Sequence, residues 1–282
     1  MSEPTILDTI LARRRLDVAE AKAATSQAEL GSRIAGAPEP IDFAARLRRD
    51  SPMAVIAEGK RASPSKGDIA PGLDAVAQAL KYAAGGAAGI SVLTEPTWFK
   101  GTLADMAGVR AAIEGMGNAR PAVLRKDFII DEYQVLEARV HGADSVLLIV
   151  ASLGDDGLAA LMDCSRDLGM EPLVEVNNSE EMVRAIASGA AVIGINNRDL
   201  RTFNVDLGTT DRLAGMVSGS VLLAALSGIS AREDVERFQA AGAGAVLVGE
   251  SLMVAPDPGA KIRELRGAHD PRFTIHDSAA TR

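Results

Sequence analysis

Eight short apolar runs, separated by segments of helical character, constrain the fold of this chain more than any other feature. The runs begin about 20 to 36 residues apart, which leaves room for one helix and two loops in each interval. Strand-like runs that alternate with helical segments indicate parallel βαβ units. Eight such units favour a closed barrel over an open sheet, and no GxGxxG turn of a dinucleotide-binding sheet follows the first run. The runs are residues 53–57, 89–93, 122–124, 145–150, 173–176, 192–195, 221–225 and 245–248.

The length and composition fit this architecture. A chain of 282 residues suits one α/β barrel, and with 47% hydrophobic but only 3% aromatic residues the core must be aliphatic. We therefore predict an α/β protein, a single (β/α)8 TIM barrel with an N-terminal helical extension. Residues 1–50, where Ile6 and Ile10 have helical spacing, form the extension packed on the barrel. Residues 51–267 form the catalytic barrel, and residues 268–282 form a polar tail that we expect to be disordered.

Composition also argues against several classes of function. The net charge of −8 disfavours binding to nucleic acid or to an anionic membrane. Cys164 is the sole cysteine, which excludes an internal disulfide and a thiolate metal site. The three histidines, His141, His269 and His276, do not have the spacing of metal ligands, so we predict no metal. Because no apolar stretch of ~18 residues and no signal-peptide pattern occurs, we expect a cytoplasmic protein.

Polar residues stand where the apolar runs end. Side chains two positions apart on a strand share a face, and the active site of this fold lies at the carboxyl ends of the strands. Taken singly, each polar residue could be the first solvated residue of a loop. A buried carboxylate, however, rarely lacks a partner. The pairs that can point together into the barrel mouth are Glu58 with Lys60, Glu175 with Asn177, and Asn196 with Arg198.

Two of these strand ends carry the strongest signals for proton transfer. Glu175 lies inside the apolar sequence PLVEV, so it is hard to explain as a solvated loop residue. Lys126 closes the run AVLRK, where a partly buried lysine can serve as an acid. Its neighbour Arg125 should face the surrounding helices, and we interpret it as structural.

Glycine-rich loops near the end of the sequence indicate a phosphate site. LSGIS follows the seventh run and VGES follows the eighth. Small residues let backbone N–H groups approach a ligand, and the last two loops form the recurrent phosphate site of such barrels. The alternative is ordinary turn glycines. We predict a small phosphorylated substrate, over which the segment KRASPSKGDI after the first run could close as a lid.

With these residues in hand, the chain resembles the indole-3-glycerol phosphate synthase family over roughly residues 5–265. The resemblance implies ring closure of 1-(2-carboxyphenylamino)-1-deoxyribulose 5-phosphate, with loss of CO2 and water, to give indole-3-glycerol phosphate. It implies a carbon–carbon lyase of tryptophan biosynthesis that needs no cofactor or metal. The motifs that carry it, in order, are IAEGKRASPSKG, ISVLTEPTWFKG, LRKDFIIDEYQV, ADSVLLIVASL, PLVEVNN, IGINNRDLRTFNVDL, SGIS and VLVGESLM.

The resemblance also implies catalytic roles for five residues. Lys126 would protonate the C2 carbonyl oxygen during ring closure, and Glu175 would act as base and acid in dehydration and rearomatisation. Lys60 would pair with the substrate carboxylate, with Glu58 positioning it. Asn196 would hydrogen-bond the substrate.

The remaining implied residues bind the substrate. They are Arg198 and Ser63 at its anionic ends, Phe128 and Leu147 as walls of the anthranilate pocket, Asn177 through its pairing with Glu175, and Ser227, Gly228, Gly249 and Glu250 at the phosphate, the last two through backbone N–H groups.

Two positions depart from the family pattern. Many members have a glutamate where this chain has Leu226, which leaves Glu58 and Glu175 as the carboxylates of the site. Gly59 replaces an apolar residue and should affect packing between barrel and helices. Leu226 keeps open a non-catalytic barrel that binds a phosphate ligand. Another alternative, phosphoribosylanthranilate isomerase, would lack KRASPSKG. Contacts with other tryptophan-pathway enzymes also stay open.

Overall fold

Eight parallel strands form a closed barrel in the computed structural model, which describes residues 4–267. Each barrel strand pairs with the next along the chain, and the first strand also pairs with the last to close the ring. The predicted (β/α)8 barrel is confirmed, since each apolar run contributes one strand. The strands are β1 (Ala54–Gly59), β4 (Gly89–Leu93), β5 (Ala122–Lys126), β6 (Ser145–Ile149), β7 (Leu173–Val176), β8 (Val192–Asn196), β9 (Leu222–Leu226) and β10 (Ala245–Val248).

A small antiparallel hairpin of β2 (Ala62–Ser63) and β3 (Gly67–Asp68) lies in the loop after β1. The sequence did not predict it, because two-residue strands in a segment rich in Ser, Pro and Gly leave no periodic signal. The hairpin gives the KRASPSKGDI segment a defined shape at the carboxyl end of the barrel.

Helices follow the strands around the outside of the barrel. Several begin where a short polar side chain accepts hydrogen bonds from backbone N–H groups of the first turn, as Asp74 and Asn178 do. Gly142, in left-handed conformation with φ of 84°, ends one of them, as its position in HGAD suggested. The helices are α4 (Ala75–Ala84), α5 (Leu103–Ile113), α6 (Glu132–Val140), α7 (Asp155–Asp167), α8 (Ser179–Ala187), α9 (Gly208–Ala214), α10 (Arg232–Ala240), α11 (Glu250–Val254) and α12 (Pro258–Arg266), with 3-10 turns at Ile34–Gly36, Glu114–Ala119 and Val150–Ser152.

Alternating strand residues build two apolar layers. On β1, Val55 and Ala57 belong to the layer between strands and helices, whereas Ala54 and Ile56 belong to the layer inside the barrel. The same period of two therefore carries Glu58, at the end of β1, to the inner face.

The N-terminal extension comprises α1 (Ile6–Ala24), α2 (Gln27–Ser32) and α3 (Phe43–Arg48), and it covers both ends of the barrel. Near the carboxyl ends of the strands, Arg14 of α1 donates to Asp127 at 3.1 Å. Near the amino ends, Arg46 Nε of α3 donates to the Arg120 carbonyl at 3.0 Å. Among residues 4–267, no helix is long and apolar enough to cross a membrane. The predicted tail at 268–282 lies outside the described residues.

Candidate active site

A cavity opens at the carboxyl ends of the strands, where the sequence placed its polar pairs. The first helix covers one side of it, through Ile6, Leu7 and Ile10. Sequence periodicity predicted that helix, but not that its apolar face would wall the site. The predicted site residues that line the cavity are Glu58, Lys60, Ser63, Lys126, Phe128, Glu175, Asn196, Arg198, Ser227 and Glu250.

Glu58 and Lys60 form an ion pair at the end of β1. Lys60 Nζ lies 2.7 Å from Glu58 Oε1, and the Ser91 hydroxyl donates to Glu58 Oε2 at 3.2 Å. Burial by itself would raise the pKa of Glu58, but the charges of Lys60 and Lys126, together with these hydrogen bonds, bring the pKa below its ordinary value. Glu58 is therefore an ionised carboxylate near neutral pH. Ser91, which faces Glu58 from β4, was missed because a serine inside an apolar run looks like packing.

Lys126 and Glu175 meet across the cavity from β5 and β7. Lys126 Nζ lies 3.8 Å from Glu175 Oε2, and Asn196 Nδ2 donates to Glu175 Oε1 at 2.9 Å. Glu175 is almost fully buried, whereas the Lys126 side chain is 21% exposed. Within residues 4–267, Glu175 Oε2 has no hydrogen-bond partner, which is unusual for a buried carboxylate oxygen. This oxygen can accept a proton or a hydrogen bond from a bound ligand.

The polar residues at the end of β8 are held by their own backbone. Asn196 Oδ1 accepts a hydrogen bond from the Arg198 N–H at 3.0 Å, and Arg198 Nη1 donates to the Phe203 carbonyl at 3.1 Å. Asn177 Nδ2 donates to the Asn196 carbonyl at 2.7 Å and lines an adjoining cavity that shares Glu175. Asn177 is thus joined to the site through Asn196 and does not line the main cavity.

Leu147, predicted as a wall of the anthranilate pocket, is not among the residues that line the cavity. It lies inside the barrel next to Leu173, one inward position below the level of Glu175. Aromatic walls come instead from Phe128 and from Phe99, whose ring centroids are 6.2 Å apart. Phe99 lies in the loop after β4, where no periodic pattern singles it out.

The predicted phosphate loops lie side by side after β9 and β10, around one extension of the cavity. Ser227 and Gly228 both adopt the left-handed region, with φ of 67° and 83°. Such conformations concentrate at ligand sites, and a Cβ on Gly228 would lie 2.6 Å from Leu207 Cδ2. On the other loop, a Cβ on Gly249 would lie 3.0 Å from Glu58 Oε1. A side chain at either position would therefore displace a neighbour at the cavity, and at Gly228 it would also strain the backbone.

Buried Asn197 supports the first of these loops. Its Nδ2 donates to the Leu226 and Ser227 carbonyls at 3.2 and 3.3 Å, and its Oδ1 accepts from the Thr210 hydroxyl at 2.9 Å. Asn197 stands between Asn196 and Arg198 in the sequence, but the strand period turns its side chain away from the cavity. Asn197 thus stabilises the loop, and a pattern of inward-facing pairs does not predict it because its side chain faces outward.

Arg125 lies outside the barrel interior, as predicted from its position next to Lys126. It donates to Thr94 Oγ1 and to Asp127, both at 3.1 Å, and Asp127 also accepts from Arg14 at 3.1 Å. Burial would raise the pKa of Asp127, but the charges of Arg125 and Arg14 and the hydrogen bond from Thr94 lower it. This buried network holds the backbone between Lys126 and Phe128.

Leu226 lines the cavity at the end of β9, beside Asn196 of β8 and Leu247 of β10. Its side chain lies over Gly194, where a Cβ would come within 2.8 Å of Leu226 Cδ1. The other departure, Gly59, faces α4, where a Cβ would lie 3.3 Å from Leu73 Cδ2. Leu226 is thus an apolar wall of the site, and Gly59 belongs to the packing between barrel and helices.

Comparison with known proteins gives a consistent picture. The family model described as indole-3-glycerol phosphate synthase matches residues 7–265. An indole-3-glycerol phosphate synthase of a Roseiflexus species is 48% identical over 265 residues, which are 93% of this chain and 98% of that protein.

A multifunctional tryptophan biosynthesis protein of Schizosaccharomyces pombe is 55% identical over 269 residues. The match covers 93% of this chain but 35% of that protein, so the chain spans about a third of that relative's length. Among solved structures, a thiamine phosphate pyrophosphorylase from Pyrococcus furiosus superposes with a TM-score of 0.58 at 17% identity, covering 79% of this chain and 96% of that one. At that identity the likeness concerns the fold alone.

Proposed function

The chain belongs to the indole-3-glycerol phosphate synthase family, and on that premise we propose that it closes the indole ring of 1-(2-carboxyphenylamino)-1-deoxyribulose 5-phosphate. The reaction makes one carbon–carbon bond and releases CO2 and water, leaving indole-3-glycerol phosphate. The observation that carries the proposal is the meeting of Lys126 and Glu175 at 3.8 Å, from different strands, on one cavity.

Lys126 is the acid of ring closure. As the ring carbon that bears the carboxylate attacks C2 of the sugar chain, the C2 carbonyl oxygen gains negative charge, and the Lys126 ammonium gives it a proton. The carbon–carboxylate bond then breaks, its electron pair returns to the ring, and CO2 leaves. The partial exposure of Lys126 supports this role, because a lysine that contacts solvent can regain its proton.

Glu175 serves the dehydration. It delivers a proton to the new hydroxyl group, which departs as water, and the carboxylate left behind takes the proton of the neighbouring methylene carbon, which completes the indole and returns Glu175 to its starting state. A carboxylate that both gives and takes a proton needs one oxygen available to the substrate. Glu175 Oε2 meets that need, since Asn196 occupies the other oxygen.

The remaining polar residues orient the substrate. Lys60 pairs with its carboxylate while staying in reach of Glu58, and Arg198 and Ser63 hold the anionic ends. Phe128 and Phe99 pack against the aromatic ring. The phosphate lies at Ser227, Gly228, Gly249 and Glu250, with backbone N–H groups as its main donors.

A turnover assay tests the proposal. Purified protein is mixed with the carboxyphenylamino-deoxyribulose phosphate, and the fluorescence of the indole product is followed. We expect saturable turnover without added metal or cofactor. Conversion of phosphoribosylanthranilate in place of this substrate would overturn the proposal in favour of the isomerase.

A second candidate is a barrel that binds the phosphorylated ligand without catalysis, and Leu226 is the observation that favours it. A leucine stands at the end of β9, where the family resemblance implies a glutamate. The test compares wild type with Leu226→Glu and with Leu226→Gln, which adds similar bulk without charge. Ligand binding without turnover in wild type and in Leu226→Gln, but turnover in Leu226→Glu, would establish this candidate. Turnover by wild type removes it.

Cellular location and partners are further proposals. We expect the chain to work in the cytoplasm and to contact other enzymes of the tryptophan pathway. The name of the Schizosaccharomyces pombe relative supports the second point, since it describes a multifunctional tryptophan biosynthesis protein. Sedimentation of this chain, alone and mixed with purified pathway enzymes, tests it, and unchanged sedimentation in every mixture would count against it.

A further inference from the structure

Lys66 lies on the loop after β1 and pairs with Glu250, the first residue of α11, across the mouth of the cavity. Elsewhere the same loop is tied to the β4 side: Arg61 makes two hydrogen bonds of 2.6 and 2.7 Å to Asp105. Both Lys66 and Glu250 line the cavity. The ion pair therefore connects the loop to the side of the mouth where the phosphate loops lie.

The surroundings of Glu250 have the charges of an anion site. The hydrogen bond and charge of Lys66, followed by the charges of Arg198 and Lys60, hold the pKa of Glu250 below its ordinary value. Three cations thus act on one carboxylate, in a chain whose overall charge is −8. Local cations against a negative background attract a small anion to this place. Of the three, Lys66 pairs directly with the Glu250 carboxylate, whereas Lys60 pairs with Glu58.

The Glu250 carboxylate is also easily replaced by another anion as the partner of Lys66. The side chains of Lys66 and Glu250 are 50% and 58% exposed, and exposed ion pairs contribute little to stability. A phosphate monoester carries nearly two negative charges and three acceptor oxygens, so it attracts an ammonium group more strongly than one exposed carboxylate does. A phosphate next to Glu250 would also repel that carboxylate, which favours separation of the pair.

We propose that Lys66 is a further phosphate-binding residue of this site, and that its ammonium group transfers from the Glu250 carboxylate to the substrate phosphate on binding. The inference rests on the proposed function, because it takes the phosphate at these loops as given. Lys66 contacts the far end of the substrate from the reacting ring, so it contributes to affinity and to loop closure and not to proton transfer.

Two variants that break the same ion pair distinguish phosphate binding by Lys66 from an ion pair that only holds the loop in place. Lys66→Met removes the cation from the phosphate. Glu250→Gln keeps the backbone N–H of Glu250 and frees Lys66. Binding of inorganic phosphate and of indole-3-glycerol phosphate is measured by calorimetry. We expect Lys66→Met to weaken both about five- to tenfold and Glu250→Gln to tighten both about two- to fivefold, as loss and release of one charge-assisted bond predict.

Lys100→Met is the matched control, since Lys100 pairs with Asp68 of the same loop but does not line the cavity. It should leave phosphate affinity unchanged. Equal weakening by Lys66→Met and Glu250→Gln, or equal effects of Lys66→Met and Lys100→Met, would overturn the assignment. Opposite effects on phosphate in a protein that does not turn over the proposed substrate would uphold Lys66 and overturn the proposed function instead.

Discussion

Lys126 Nζ lies 3.8 Å from Glu175 Oε2, the buried carboxylate oxygen that has no hydrogen-bond partner within residues 4–267. At that separation the charges attract, but no direct hydrogen bond forms. A substrate oxygen beside the pair, at about 2.8 Å from each group, could contact both. In the reaction proposed above, ring closure and dehydration could therefore share one oxygen atom beside this pair, first as a carbonyl and then as a hydroxyl group.

Replacing Lys126 with methionine should abolish most turnover while keeping much of the side-chain volume. We expect kcat to fall about 10²–10⁴-fold, the usual contribution of a positioned general acid. Steady-state kinetics of the purified variant measures it, with circular dichroism to show an intact fold. Lys100→Met, a loop lysine away from the cavity, is the control. Full activity in Lys126→Met would show that another group supplies the proton.

Removing the Lys60 charge should shift the acid limb of the pH–rate profile to higher pH. The pKa of Glu58 is lowered despite burial, chiefly because Lys60 and Lys126 are close. In Lys60→Met one of these charges is lost, so the pKa of Glu58 rises and its carboxylate is protonated at a higher pH. The profile of kcat/KM against pH reports this shift. Ser91→Ala, which removes one neutral hydrogen bond, should produce a smaller shift of the same sign.

Two ion pairs join α1 to the barrel, and their contributions to the free energy of unfolding should differ sharply. Arg14 and Asp127 are both buried, whereas the side chains of Lys22 and Asp131 are 40% and 33% exposed. Arg14→Met should lower the free energy of unfolding by about 2–3 kcal/mol, a moderate loss for a buried pair because Asp127 keeps Arg125. Lys22→Met should cost less than about 1 kcal/mol. Urea unfolding measures both, and equal losses would refute the distinction.

Asp127 should also make stability sensitive to acid. Because its folded pKa is lowered, its stabilising contribution is complete above the ordinary carboxyl pKa of about 4 and is lost as pH falls toward the lower folded value. Removing the Arg14 charge raises the folded pKa toward the ordinary one. As pH falls below about 4, the free energy of unfolding should therefore decrease less in Arg14→Met than in wild type. Unfolding free energies across that range test the sign, and a steeper loss would contradict it.

A methyl group on Gly228 should damage phosphate binding. Gly228 has φ of 83°, which strains an alanine there, and its Cβ would meet Leu207 Cδ2 at 2.6 Å, so Leu207 or the loop must shift. We expect Gly228→Ala to raise KM about tenfold or more. The left-handed conformation of the alanine alone costs roughly 1–2 kcal/mol, and the displacement of the loop or of Leu207 adds to that cost. Gly242→Ala is the control, since φ is 102° but no atom lies within 4 Å of its Cβ. If both variants kept wild-type KM, the phosphate would not lie on this loop.

Strand positions could be predicted from the apolar runs, and the inward-facing polar residues from the period of two along each strand. Glu58, Lys126 and Glu175 all line one cavity, as strand ends in a barrel require. The same period explains Arg125, which faces outward next to Lys126. These features depend on local sequence, and local sequence was sufficient.

Depth and long-range contacts could not be predicted. Leu147 has the correct face but lies too deep in the barrel, and sequence period does not give the height at which a cavity begins. Ile10 and Phe99 reach the site from a distant helix and from a loop, neither of which a strand pattern places. Ser91 and Asn197 were missed because their partners are hydrogen-bond acceptors on neighbouring strands and loops.

Gly249, where a Cβ would lie 3.0 Å from Glu58 Oε1, follows the last strand of the ring, and Glu58 lies at the end of the first strand, with which the last one pairs. Glu58 and Gly249 line the same extension of the cavity, so a partly assembled barrel in which β1 and β10 are not yet paired would not hold them together. Catalytic activity then reports directly whether the β-barrel has closed. In a refolding experiment, activity should return only with the last phase, whereas helical signal recovers earlier. Selection for this chemistry would at the same time select for chains that complete the circle.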